Sequence, residues 1–374
     1  MKKILLILNF FVVFGCFGQK VDKDLHLTVS VSINQNDEQI KEVISTVRAF
    51  LETKNDSYAE NKYWLKQDFD KYKYPYIDLY NIENGRLGKN FYQPTLMEII
   101  PTDQVNQWVV KLAFIGHNTE TNENQVRVIY NIIASKINDE IKLSRYQDFV
   151  LESWQYFKKE SISYYISPVK KINEAEVSKQ QKDIEMLCNF FNTQPIPLIY
   201  ISCINPKEVF EVKGFDYNPM MYVGNTGGFA EHGNFILSGN NSEVYTHEIV
   251  HIYTMNLFPN IKPFFDEGLA TFLAGSGTFD YAWHKEKLKR FLIQNPTFQI
   301  EHHMEDLYER LYFEEETSIP YLIAAVICEY VLEIHGKEIY FELLNDEDDL
   351  WNSLKKVGLT QENINNVIRN KLEI

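Results

Sequence analysis

The chain has 374 residues, 45% hydrophobic, 14% aromatic and 24% charged, a composition that builds packed cores and excludes global disorder. Its 37 basic and 52 acidic residues leave a formal net charge of −15, and with no basic block nucleic acid is not an expected partner. The 16 glycines and 12 prolines follow no period, which excludes collagen-like and low-complexity classes.

Lys2 and Lys3 precede an apolar run from Ile4 to Phe14, broken by Asn9, and small residues follow at Gly15, Cys16 and Gly18. A charged start, a short apolar middle and a small-residue exit describe a secretory signal peptide over residues 1–18, too short to cross a bilayer as a helix. Cleavage after Gly18 gives a soluble secreted or periplasmic product. Val13-Phe14-Gly15-Cys16 also resembles a bacterial lipoprotein box, which would place a lipid anchor on Cys16. No second membrane-length apolar stretch is expected, and hence no transmembrane segment. Beyond the leader stand Cys188, Cys203 and Cys328, an odd and sparse set that reads as core thiols, although Cys188 and Cys203 could pair.

Residues 19–150 read as one α+β unit. Asp37 to Thr53 predicts an amphipathic helix, with Ile40, Val43, Ile44, Val47, Phe50 and Leu51 at helical spacing. Trp108–Ile115, Val126–Ala134 and Ile141–Tyr146 predict strands from their alternation and β-branched content. The polar stretch from Asn118 to Asn124 predicts a hairpin between two of them. A helix followed by an antiparallel sheet resembles the cone-shaped fold of nuclear-transport-factor-like and cystatin-like domains.

Residues 151–374 form the second unit. Ile162–Ile166 predicts a strand, 173–191 a helix and Pro197–Cys203 a buried strand. The glycine-rich stretch Gly224-Asn225-Thr226-Gly227-Gly228 lacks the lysine and spacing of a phosphate loop. Asn234–Leu237 predicts another strand. Asn240 is the expected N-cap of the next helix, with Glu243 completing a capping box. From there the pattern is mostly helical, with stops at Pro259, Gly275 and Gly336.

Chemistry concentrates in His247-Glu248-Ile249-Val250-His251. On a helix His247 and His251 are one turn apart on one face, so their imidazoles can grip one zinc ion. Glu248 lies about 100° further round, away from a ligand position but within reach of a water beside the ion, as a general base. A catalytic zinc needs a third protein ligand and an open position. Pro263-Phe264-Phe265-Asp266-Glu267-Gly268-Leu269-Ala270 predicts a second helix starting at Pro263, whose Glu267 can complete a His, His, Glu set. Gly268 and Ala270 permit close helix approach. Thr271 is expected to support a ligand histidine.

These segments resemble the gluzincin peptidases, the thermolysin-like and aminopeptidase-like clan. The matching residues are His247-Glu248-x-x-His251 and Asp266-Glu267-Gly268-Leu269-Ala270, within a stretch from about Trp154 to Asn345. The metzincin pattern would require glycine at 254 and histidine at 257, where this chain has Thr254 and Leu257. The resemblance implies a thermolysin-like catalytic domain with a mostly helical C-terminal lobe, Zn²⁺ on His247, His251 and Glu267, and Glu248 as base in peptide-bond hydrolysis. It also implies a substrate-pairing edge strand, for which 227–237 stands in the right place, and a tyrosine from a later helix at the oxyanion. Tyr321 is the candidate, ahead of Tyr308, Tyr312, His302 and His303. His232 reads as an exposed loop residue. No glycine-rich exopeptidase motif is evident, which favours an endopeptidase acting on peptide or protein substrates. The alternatives are a non-catalytic surface or binding protein that retains the peptidase fold, and a zinc hydrolase acting on a non-peptide bond.

Overall fold

A computed structural model describes residues 24–374. The leader and Cys16 lie outside the described residues. The architecture is α+β.

The chain opens with β1 (Thr28–Val29), α1 (Glu38–Thr53) and α2 (Lys66–Tyr72). There follow β2 (Tyr92–Pro101), β3 (Gln107–Asn118), β4 (Glu123–Ile137), β5 (Glu140–Arg145) and α3 (Tyr146–Leu151). Strands β1 to β5 lie side by side in sequence order, β1 parallel to β2 and the rest antiparallel. Helix α1 starts where Asp37 accepts from the amides of Gln39 and Ile40. Its buried stripe of Val43, Ile44, Val47, Phe50 and Leu51 packs on Leu96, Val110, Leu112, Phe114 and Ile132 of the sheet. The expected hairpin is the turn between β3 and β4.

The next elements are β6 (Gln155–Lys159), β7 (Ile162–Ile166), α4 (Glu174–Phe191), β8 (Leu198–Ser202), α5 (Pro206–Lys213), β9 (Phe215–Tyr217), β10 (Gly228–Glu231) and β11 (Phe235–Ser238). They build a second sheet ordered β10-β11-β8-β7-β6, with parallel pairing at its centre and antiparallel pairs at both edges. Strand β9 does not join it. It pairs antiparallel with β4, so the chain beyond Val150 returns to the first sheet, and Phe215 and Met221 enter that sheet's core. A small cluster including Tyr72, Trp154, Cys203, Val209 and Phe235 packs residues from both parts together.

The rest is helical: α6 (Thr246–Leu257), α7 (Pro263–Ala274), α8 (Tyr281–Gln294), α9 (Ile319–Leu344), α10 (Leu350–Lys355) and α11 (Ile364–Lys371), with a two-stranded ribbon β12 (Tyr312–Phe313) and β13 (Thr317–Ser318) before α9. Helix α7 lies close against α9. A Cβ on Gly268 would stand 2.8 Å from the carbonyl carbon of Ala324, so the approach requires glycine there. Contrary to the sequence expectation, α9 is long and apolar enough to cross a membrane. Within the described residues its Leu322, Ile323, Val326, Ile327 and Val331 are buried in the core and its Glu329 pairs with Lys285 of α8. The helix breaks at Gly336 (φ 84°, ψ 171°), the expected stop.

The start of α6 departs from expectation. Its N-cap is Tyr245, and Asn240 instead accepts from the amide of Gly227. Glu243 forms no capping box; it is buried and pairs with Lys170 at 2.8 Å. Helix α4 supplies the missing partners: Gln180 accepts from the Tyr245 amide, Glu176 from the Glu243 amide, and Asp183 from the Thr246 hydroxyl. Cys188, Cys203 and Cys328 are all free thiols.

Candidate metal centre

Helix α6 is buried on most of its surface through Ile249, Val250, Ile252 and Tyr253, so its position in the core is fixed. One turn of helix sets His247 beside His251, with ring centroids 5.1 Å apart. Pro263 opens α7 after a short connection, and the helix folds back to bring Glu267 to the same point. His247 Nε2 is 3.4 Å and His251 Nε2 is 3.7 Å from Glu267 Oε2. Two ligand atoms each about 2.0–2.1 Å from one tetrahedral ion stand roughly 3.3–3.4 Å apart, so the three groups are spaced for a shared ion. Glu267 Oε2 is buried and has no hydrogen-bond partner, an orphan acceptor that a cation would satisfy. Two imidazoles and a carboxylate make a donor set suited to zinc.

The far sides of both rings are occupied. His247 Nδ1 donates to the Gly275 carbonyl at 2.7 Å, which turns Nε2 towards Glu267. His251 Nδ1 stands 3.0 Å from Asp266 Oδ1, off the line of a hydrogen bond, and Asp266 Oδ1 also accepts from Thr254 Oγ1 at 2.6 Å. Asp266, rather than Thr271, is thus the α7 side chain set beside His251 Nδ1. The Thr271 hydroxyl is buried without a partner and is not bonded to either histidine. A second layer continues outward: buried His284 bonds Thr317 Oγ1 through Nδ1 and the Ser276 carbonyl through Nε2.

Glu248 projects from α6 towards β10, where the Ala230 amide donates to its Oε2 at 2.9 Å. Burial pushes its carboxyl above the usual range, opposed by the neighbouring His251 and His247. Burial alone would lower His251, but the Asp266, Glu267 and Glu248 carboxylates outweigh it and hold the imidazole up at about 10. Burial would raise Glu267, yet its contacts with His247 and His251 bring it below the ordinary carboxylate range.

Tyr321, in the first turn of α9, directs its phenol at the Glu267 carboxylate; burial, then Glu267, raises its pKa far above normal. Tyr308 and Tyr312 border the same centre: burial first, with the Glu267 charge contributing, raises both phenols. His303 stacks on Phe298 and pairs with Glu309, and His302 lines a separate surface hollow with Glu301, Glu305, Gln361 and Glu362. His232 is exposed in the β10–β11 turn, edge-on to Tyr74.

Three groups at the site escaped sequence reasoning. Asp266 could have been found as an acid directly before the candidate ligand Glu267, on the helix face turned to α6. The Gly275 carbonyl and the Ala230 amide are backbone groups brought in by tertiary structure, and no residue type signals them. In comparisons with known proteins, no family model matches the chain and no curated protein matches it.

Proposed function

We propose that this protein is a secreted or periplasmic zinc metallopeptidase of gluzincin type, an endopeptidase in which residues 151–374 form a thermolysin-like catalytic domain. Residues 19–150 are read as a cone-shaped domain of the cystatin-like kind, supported by one helix packed on an antiparallel sheet. One observation carries the proposal: a nitrogen of His247, a nitrogen of His251 and an oxygen of Glu267 lie within 4.8 Å of one another, with Glu248 beside them.

His247, His251 and Glu267 would hold the ion, which when bound supplies Lewis acidity to the scissile carbonyl and the attacking water. Glu248 is the base. Its raised carboxyl pKa suits a group that takes a proton from water and then returns one to the leaving amine nitrogen. The Tyr321 phenol, held protonated, can donate to the developing oxyanion. The substrate reading draws on β10. One side of this strand pairs with β11, and the Ala230 amide points away from that pairing towards Glu248. An extended peptide added to the free side would run past the base.

The test is cleavage of a mixed peptide library, followed by mass spectrometry. Wild-type protein should cut internal bonds. Glu248→Gln should retain its zinc and slow cleavage by about 10²–10⁴-fold, the usual worth of a general base. Undiminished cleavage by Glu248→Gln would remove Glu248 from the mechanism.

A further inference from the structure

Glu231 ends the edge strand, one residue after the amide that holds the catalytic base. Its carboxylate is surrounded by buried cations. Arg145 donates from Nη1 and Nη2 to Oε2 at 3.0 and 3.1 Å, and Lys213 Nζ meets Oε1 at 2.5 Å. Asp78 closes the cluster, 2.9 Å from Lys213 Nζ and 3.5 Å from Arg145 Nη2. The Arg145 guanidinium lies 4.4 Å from the Tyr72 ring centroid. Arg145, Asp78 and Tyr72 all precede residue 150, so a two-plus, two-minus cluster joins the N-terminal part to the strand that borders the site.

The grip extends around the turn. A Cβ on Gly233 (φ +83°) would stand 2.1 Å from the Lys71 carbonyl oxygen, so the turn lies directly against the end of α2. Phe235 stacks on Tyr72 at 4.8 Å, and His232 meets Tyr74 at 5.0 Å. Four independent contacts thus hold one hairpin from one side. Buried charges add directionality: removing one partner leaves the others unpaired, so the cluster tolerates few arrangements.

We propose that Glu231 is a positioning residue through which the N-terminal part fixes β10 and, by the Ala230 amide, the carboxylate of Glu248. The N-terminal part is then a structural component of the active site and not an appended binding module. This role rests on the peptidase reading.

The experiment compares full-length mature wild type, Glu231→Gln and Glu231→Asp, using hydrogen exchange of the segment containing 228–231, zinc content, and kcat and KM. In Glu231→Gln the amides of 228–231 should exchange at least tenfold faster while those of 162–166 are unchanged. Zinc content should stay at the wild-type level, and kcat/KM should fall at least tenfold well below the melting temperature. Glu231→Asp should recover part of both losses. A purely stabilising ion cluster would lower the melting temperature and leave exchange at 228–231 and kcat/KM intact, which overturns the proposal. Should Glu231→Gln fail to fold, Tyr74→Ala removes a contact of the same hairpin without unpairing a buried charge; the same exchange signature, smaller in size, is expected, and its absence overturns the proposal. Exchange is read without substrate, so a wild-type protein that cleaves nothing would defeat the peptidase reading separately.

Discussion

Asp266 shows how much of the candidate metal site lies outside its proposed ligands. It shares a helical turn with Glu267 but meets the other nitrogen of His251: its Oδ1 stands 3.0 Å from His251 Nδ1 and accepts from Thr254 Oγ1. A negative charge beside Nδ1 favours the ring orientation that turns Nε2 towards Glu267 and, with an ion bound, would strengthen Nε2 as a ligand. Asp266→Ala should weaken zinc affinity about 10- to 100-fold, measured by competition with a chromophoric chelator, and leave the helical content unchanged. An unchanged affinity would show that His251 needs no orienting partner. The contrast with Thr271 is physical. Both side chains are on α7, but Asp266 stands beside His251 while the buried Thr271 hydroxyl has no partner. Spacing of three or four residues identified which side chains share a helix face; it carried no information about the neighbouring helix that each face meets.

Elements were legible where local chemistry decided them and hidden where another element did. Helix α1 has its own cap and its own apolar stripe, and β3, β4, β7 and β8 carry continuous or alternating apolar runs, so each appears close to its expected place. Strand β2 was missed because prolines at 94 and 101 remove amide donors and mask a strand pattern. Asn240 and Glu243 read as a capping box, yet α4 caps α6 with Gln180, Glu176 and Asp183 from more than 60 residues away. The docking of α2 is of this second kind. Asp68 is buried, and its Oδ2 accepts from the Arg145 amide at the β5–α3 corner and from Trp64 Nε1. Burial raises its pKa to about 6, the two hydrogen bonds notwithstanding. The folded state then binds this proton more tightly than the unfolded state. The contribution of Asp68 to stability is therefore full below the unfolded value near 4 and is lost as pH rises through about 6. Wild type should be more stable relative to Asp68→Asn at pH 4.5 than at pH 7.5, by on the order of 2 kcal/mol in urea titrations. A difference independent of pH would place the Asp68 titration at its ordinary value.

Among the described residues, the two larger sheets and a helical lobe meet where the chain crosses between them. Strand β9 returns to the first sheet, the β10–β11 hairpin is clasped by residues before 150, and α6, α7 and α9 converge on Glu267. The candidate ligands were readable because helix periodicity and a short connection are enough to bring His247, His251 and Glu267 together. The link between the N-terminal part and Glu248 was unreadable, because it depends on Arg145 and Lys213 meeting Glu231, with Asp78 beside both cations, from distant points in the chain. The central claim is that one ion is shared by three side chains on two helices. Its most direct measurement is the zinc content of purified, chelator-washed and reloaded protein, for wild type beside Glu267→Ala. About one zinc per wild-type chain, with most of it lost in the variant, is the result the shared site requires. Zinc absent from the wild type, or retained in full by Glu267→Ala, would contradict it.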